Sequence, residues 1–359
     1  MDKLSELLKD LVVRGGSDLH VTPGAPPMLR LQGDLMPLST VPIEPEATRE
    51  MLIGILEEWQ AQELEQKRNI DFAYQVSFDR TVYRFRVNVY HELRGVGANF
   101  RKIGDRIPTL NELGLPDSIV QLTNHHHGLV LITGPASCGK TTTMSSLVNL
   151  VNETKPCHII TIEEPIEYIY NNSKAIVHQR QVGLHTDSFE TALKSALRED
   201  PDVIVVGELR GLESVRWAIT AAETGHLVFG TLHTSNPSVT INRLIDSFPS
   251  PQRPQIRNML AESLLGIVTQ YLLISKDYKR RYPAIEVLIN TSAVATTIRE
   301  AKTYLIPNVM MTGKNAGMIL LEDSLKNLLA DQRINKDDAD SLLTEQKFLF
   351  QVFEKKEEG

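Results

Sequence analysis

The sequence predicts an α/β protein in two parts. An N-terminal α+β domain (1–101) is built around an antiparallel sheet, and a phosphate-loop domain (119–290) is built around a parallel one. A linker (102–118) joins them, and a C-terminal helical region (291–359) follows. Three observations carry this. Residues 71–103 alternate apolar and polar, as strands with one buried face do. Four continuous apolar, β-branched runs follow between helical segments, the pattern of a parallel sheet covered on both faces. The first of those runs breaks into glycine, small polar residues, a lysine and threonines, GPASCGKTTT.

Taken in order, Leu4, Leu7, Leu8, Leu11 and Val12 recur at helical spacing, and Gly15 and Gly16 end that helix. Short strands punctuated by proline and glycine follow in DLHVTPGAPPMLRLQGDLMPL, and residues 44–67 read as helical. The linker carries two prolines and two glycines. The buried-type runs GLVLITG, HIITIEE, PDVIVVGE and HLVFGTLHT then alternate with helices near 141–153, 188–199 and 211–224. From 250 onward the chain reads as mostly helical, apart from strand-like PAIEVLI (283–289).

A chain of 359 residues with 42% hydrophobic and 23% charged residues has the composition of a soluble globular protein of about two domains. Its net charge of −7, with no basic groove rich in aromatics, argues against a nucleic-acid-handling function. The two cysteines, Cys138 and Cys157, form neither a CxxC pair nor a disulfide framework, which suits a reducing cytoplasm. The N-terminus has no signal-type apolar core, and no run approaches the ~18 apolar residues of a membrane helix. The chain is therefore expected in the cytoplasm, serving any membrane process from outside the bilayer.

GPASCGKT (134–141) fits GxxxxGK[ST] in full, with a strand before it and a helix after. Such a loop turns several backbone N–H groups onto one anion, and the helix behind it adds the positive end of its dipole. Lys140 is placed to reach the β- and γ-phosphates of a nucleoside triphosphate, and the Thr141 hydroxyl to hold Mg²⁺. Glu208 closes another buried run, where an acid could hold the metal's shell or orient water. Glu163 and Glu164 close a third; adjacent residues on a strand point to opposite faces, so only one is expected to aim at phosphate. His226 and His233 flank the fourth run, and either could sense a γ-phosphate. Cys138 sits where a helix N-terminus can lower a thiol pKa. The triplet His125–His127 lies in a loop where three neighbours cannot face one ion. No arginine stands beside Lys140 in the phosphate-loop unit, so the additional cation that phosphoryl transfer needs would come from elsewhere, Arg84, Arg86, Arg94 and Arg101 being available.

The combination SDLHVTPGAPPMLRLQGDL, RFRVN…RG, GPASCGKTTT, TIEEPIEY, ALREDPDVIVVGELR and GHLVFGTLHT, over roughly residues 3–345, resembles the PilT-type secretion ATPases, and within them the type IV pilus retraction ATPases. The resemblance implies a PAS-like N-terminal domain, a RecA-like ATPase domain and a homohexameric ring in the cytoplasm, working on an inner-membrane pilus platform protein with ATP and Mg²⁺. Gly134, Pro135, Ala136, Ser137, Cys138, Gly139, Lys140, Thr141 and Thr142 match the Walker A loop. Glu163 and Glu164 fall in the Asp box, Glu208 is the Walker B glutamate, and His226 with His233 forms the His box. Thr141, Glu208 and Glu164 are the implied metal-side residues. Arg86, Arg94 and Arg101 match arginines that reach nucleotide across interfaces. SAVATTIRE (292–300) stands where retraction ATPases carry an AIRNLIRE-like helix, keeping Ala293, Ile298, Arg299 and Glu300. A paralogue driving pilus assembly or type II secretion is the alternative function.

Overall fold

A computed structural model describes residues 2–357 apart from residues 32, 105 and 279, with side chains described through residue 346. Its thirteen described strands form two sheets, so the mixed α/β class stands. The chain divides into two units, Met1–Arg106 with Glu164–Ile169, and Ile107–Glu163 with Tyr170–Gly359.

The first unit holds strands β1 (Asp18–Val21), β2 (Met28–Leu31), β3 (Asp34–Pro37), β4 (Asn69–Phe78), β5 (Thr81–Glu92) and β6 (Gly95–Lys102) in the order β3-β2-β1-β6-β5-β4. Every pairing is antiparallel. Alternation along β5 sends Phe85, Val87 and Val89 into the core, where Phe100, Leu19 and Val21 meet them. Leu4, Leu8 and Leu11 of the helix Lys3–Val13 close the same core. That helix starts where the Asp2 carboxylate accepts a hydrogen bond from the Ser5 N–H. The stretch 44–67 is two helices, Pro45–Ile53 and Glu58–Lys67.

The second unit is built on β7 (Gly128–Thr133), β8 (His158–Glu163), β9 (Ile176–Gln181), β10 (Val203–Val206), β11 (Leu227–Leu232), β12 (Leu264–Ile274) and β13 (Arg281–Ile289), in the order β13-β12-β7-β11-β10-β8-β9. All neighbours are parallel except β12 and β13. One face packs on the helix Lys140–Thr154 through Met144, Leu147, Val148 and Val151. The other is covered by the helices Phe189–Ala196, Gly211–Glu223, Pro237–Asp246 and Arg253–Ser263. Two strands depart from the sequence reading. Leu264–Ile274, expected as helix, is the eleven-residue β12; a long leucine-bearing run directly after a helix carries no period that tells the two apart. β9, only half-buried and mixed in polarity, gave no apolar run. Residues 107–118, expected within the linker, belong to the second unit and bury Leu110 and Leu115. The helix Leu321–Ala330 packs Leu325 and Leu328 against Tyr271 and Ala284 of the β12–β13 hairpin.

Candidate nucleotide site

Strands β7, β8, β10 and β11 run parallel, so their C-terminal ends share one edge of the second sheet, where open α/β sheets bind ligands. Each delivers one piece of chemistry there. β7 runs out at Thr133 into the loop 134–139, and the helix Lys140–Thr154 begins immediately after it. Gly134 (φ +138°) and Gly139 (φ +90°) have backbone conformations that side chains resist, and Ser137 also sits at positive φ. Space reinforces this: a Cβ on Gly134 would lie 2.2 Å from the Gln270 backbone carbonyl oxygen, and one on Gly139 would lie 2.7 Å from Gln270 Nε2.

Lys140 is 7% exposed. Its Nζ donates to the carbonyls of Gly134 (2.9 Å) and Pro135 (2.8 Å) and lies 3.3 Å from His233 Nδ1. Burial pulls its pKa below the ordinary lysine value, partly opposed by the charges of Cys138 and Glu208. His233 follows β11 and bridges outward, with Nε2 3.6 Å from Glu208 Oε2. Glu208, two residues past β10, takes an ion pair from Arg210 at 2.8 Å. Burial raises the Glu208 carboxyl, but the Arg210 hydrogen bond and charge, with His233 and Lys140, outweigh it and hold the pKa below the usual range. The result is an ammonium, an imidazole and an ionised carboxylate in one row beside an anion-type loop.

Glu163, at the end of β8, is 5% exposed and accepts hydrogen bonds from Thr161 Oγ1 (2.7 Å) and Gln179 Nε2 (3.3 Å). Glu164 begins the short segment that belongs to the first unit. Thr141 occupies the first turn of the loop's helix and is partly exposed. The Cys138 thiol is buried, and that burial raises its pKa. Desolvation of the thiolate therefore outweighs the helix N-terminus, an effect the sequence left open.

The structure sets His226 apart from the other predicted site residues. It lies at the opposite, N-terminal end of β11, about 23 Å along the strand from His233 at ~3.3 Å per residue. Its Nδ1 is 3.0 Å from the Ala221 carbonyl, so the ring closes the last turn of the helix Gly211–Glu223 instead. His125, His126 and His127 are exposed, and no cluster of metal-binding side chains occurs among the described residues.

In the first unit, Arg86 and Arg101 are direct cross-strand partners on β5 and β6. Like charges so placed repel, and acids offset them. Arg101 Nε donates to Asp18 at 2.8 Å, while Arg86 lies 3.9 Å from Asp71 and 3.7 Å from Glu167. Burial raises the Asp18 carboxyl, yet its hydrogen bonds from Arg101 and Ser17 bring the pKa below normal. Arg84 donates to the Ile166 carbonyl at 2.9 Å, and Arg94 is exposed in the β5–β6 turn.

Sequence reasoning missed Gln270, Thr143 and Arg210. Gln270 projects from β12, some 130 residues beyond the loop it touches; the available signal was a lone amide in an otherwise apolar run.

The profile of the family "Type II/IV secretion system protein" matches residues 2–339. The chain belongs to that family. Among its relatives within this family, it is 42% identical to the "Type IV pilus retractation ATPase PilT" of Pseudomonas aeruginosa, over 94% of this chain and 96% of that protein. It is 38% identical to the "Type IV pilus ATPase PilU" of the same organism, over 94% and 87%. A solved structure of the pilus retraction motor PilT with bound ADP superposes with a TM-score of 0.85 at 42% identity, covering 95% of this chain and 97% of that one. By contrast, the likeness to the "Type II secretion system protein E" of Xanthomonas campestris pv. campestris spans 42% of this chain. Family, fold and loop together make this secretion-family chain a P-loop ATPase of the pilus retraction class.

Proposed function

We propose that the chain is a cytoplasmic motor ATPase working as a homohexameric ring, in which ATP hydrolysis drives type IV pilus retraction through an inner-membrane platform protein. The observation that carries the chemistry is the Lys140–His233–Glu208 row beside the phosphate loop. No described helix is long and apolar enough to cross a membrane, which is compatible with peripheral attachment. In this reading the first unit is the PAS-like domain and the second the RecA-like one.

Loop N–H groups between Ala136 and Thr142 cradle the phosphates of ATP, and Lys140 exchanges its loop carbonyls for phosphate oxygens. His233 reports the γ-phosphate to Glu208. Glu208 orients the attacking water, because its carboxylate is ionised and reachable, whereas that of Glu163 is occupied by Thr161 and Gln179. Glu163 is then a support at the strand end. The hard oxygen donors of Thr141 and Glu208 suit Mg²⁺, with Glu164 a further candidate; the ion supplies charge neutralisation of the phosphates. Arg86, Arg94 and Arg101 serve as the additional cations on ring closure, Arg101 after release from Asp18.

The test is Glu208→Gln, which keeps the hydrogen bond from Arg210 and removes the charge. ADP affinity should stay within about threefold while kcat falls by ~100-fold, the usual scale for losing a positioned catalytic group. Oligomer mass should be hexameric in both proteins with nucleotide. Unchanged kcat in the variant excludes the role given to Glu208, and a monomer that turns over ATP normally excludes the ring.

A further inference from the structure

Gln270 holds the phosphate loop from underneath. It is 3% exposed on β12. Its Nε2 donates to the Cys138 carbonyl at 2.7 Å, and its Oε1 accepts from Thr143 Oγ1 at 2.7 Å. These two partners fix the amide's orientation, since the Cys138 carbonyl can only accept. They also span the end of the loop and the first turn of its helix. The same residue bounds both loop glycines, with its backbone carbonyl at Gly134 and its Nε2 at Gly139.

A trans peptide sets its C=O and N–H on opposite sides. Pinning the Cys138 carbonyl toward β12 therefore turns the Gly139 N–H away from β12, toward the side where the loop receives an anion. We infer that Gln270 is a positioning residue for nucleotide binding: it sets the 138–139 peptide so that the loop binds polyphosphate without first reorganising. This deepens the proposed function and rests on the loop being the nucleotide site. Gln270 thus braces the loop from a strand outside it.

The test compares Gln270→Glu and Gln270→Leu with the full-length wild type, using ADP as the probe. Gln270→Glu is isosteric, but its carboxylate faces the Cys138 carbonyl without a proton to donate. Gln270→Leu leaves both partners buried and unpaired. Each should raise the ADP Kd by roughly tenfold at pH 8, the scale of an unsatisfied buried polar group. At pH 5.5 the glutamate, raised by its buried setting, regains a proton and donates again. Its Kd should return to within about threefold of wild type measured at that pH, while the leucine variant does not recover. In both variants kcat at saturating ATP should fall less than about threefold, so the loss appears in KM. Oligomer mass and melting temperature check that each variant folds.

Wild-type ADP affinity in both Gln270 variants at pH 8 overturns the inference, as does loss in the glutamate variant with no recovery at low pH. A wild-type chain that fails to bind ADP overturns the nucleotide-site reading itself, and this role with it.

Discussion

Replacing Lys140 by alanine is expected to lower kcat/KM for ATP about a thousandfold while leaving the protein folded. The lysine is the strongest single electrostatic feature beside the loop. It is charged, nearly buried, and surrounded by carbonyl oxygens and an imidazole rather than by water. A charge-assisted hydrogen bond to phosphate in such a setting is stronger than a neutral one, and removing a preorganised transition-state donor costs ~100- to 1,000-fold. Folding should tolerate the change because the ammonium is held at a desolvation cost, which is why its pKa is depressed. Alanine relieves that cost while freeing the Gly134 and Pro135 carbonyls, so the two effects oppose each other. Lys140→Arg keeps the charge but cannot place one compact donor against both carbonyls, so it should recover affinity more than turnover. Steady-state kinetics, ADP titration and melting curves on the three proteins decide this. A Lys140→Ala protein that hydrolyses ATP at the wild-type rate removes the site from the loop.

The fold was legible where the chain signals locally. β7, β8, β10 and β11 announced themselves as continuous β-branched runs bounded by glycine, proline or acids. The loop did so because glycine spacing is dictated by positive φ at Gly134 and Gly139, a backbone demand written in residue type. Lys140, His233 and Glu208 were each found as the residue following a strand or loop. Their mutual distances could not be read, since they depend on the order β7-β11-β10, which no local pattern encodes. His226 shows the opposite case. It has the same residue type as His233 and flanks the same strand, but a parallel sheet binds ligands at one edge, and His226 lies at the other. Gln270 was missed for a third reason. Its lone amide in an apolar run marks the residue, but its partners, the carbonyl of Cys138 and the hydroxyl of Thr143, lie more than a hundred residues away and neither segment names them.

A second large effect is expected far from the loop's chemistry, at Glu286 on the edge strand β13. Its direct partner across the hairpin is Thr269, whose hydroxyl is already engaged with Thr133 at 2.8 Å. Leu288 and Ala284 flank Glu286 on the same face of β13, and it has no hydrogen-bond partner among the described residues. Burial pushes its carboxyl up to about 8 from an ordinary 4.5. The nearby Tyr271 hydroxyl is raised as well, first by burial and then by the Glu286 and Glu345 charges. Between pH 4.5 and 8 the folded protein keeps the Glu286 proton and the unfolded chain does not, so folding stability falls as pH rises through that window. At ~1.36 kcal/mol per pKa unit the full loss has a ceiling of roughly 5 kcal/mol. The residue retains some solvent exposure, so a loss of about 2–3 kcal/mol is the expected scale, on the order of 5 °C in Tm for a unit of this size. Glu286→Gln is neutral at every pH and escapes the loss. The variant should match wild type at pH 4.5 and melt higher at pH 9, with the difference opening between those values. The comparison cancels titrations common to both proteins, including those of the histidines. A Tm difference that stays constant from pH 4.5 to 9 means that Glu286 ionises in the folded state as it does in water, and that the β12–β13 hairpin does not enclose it.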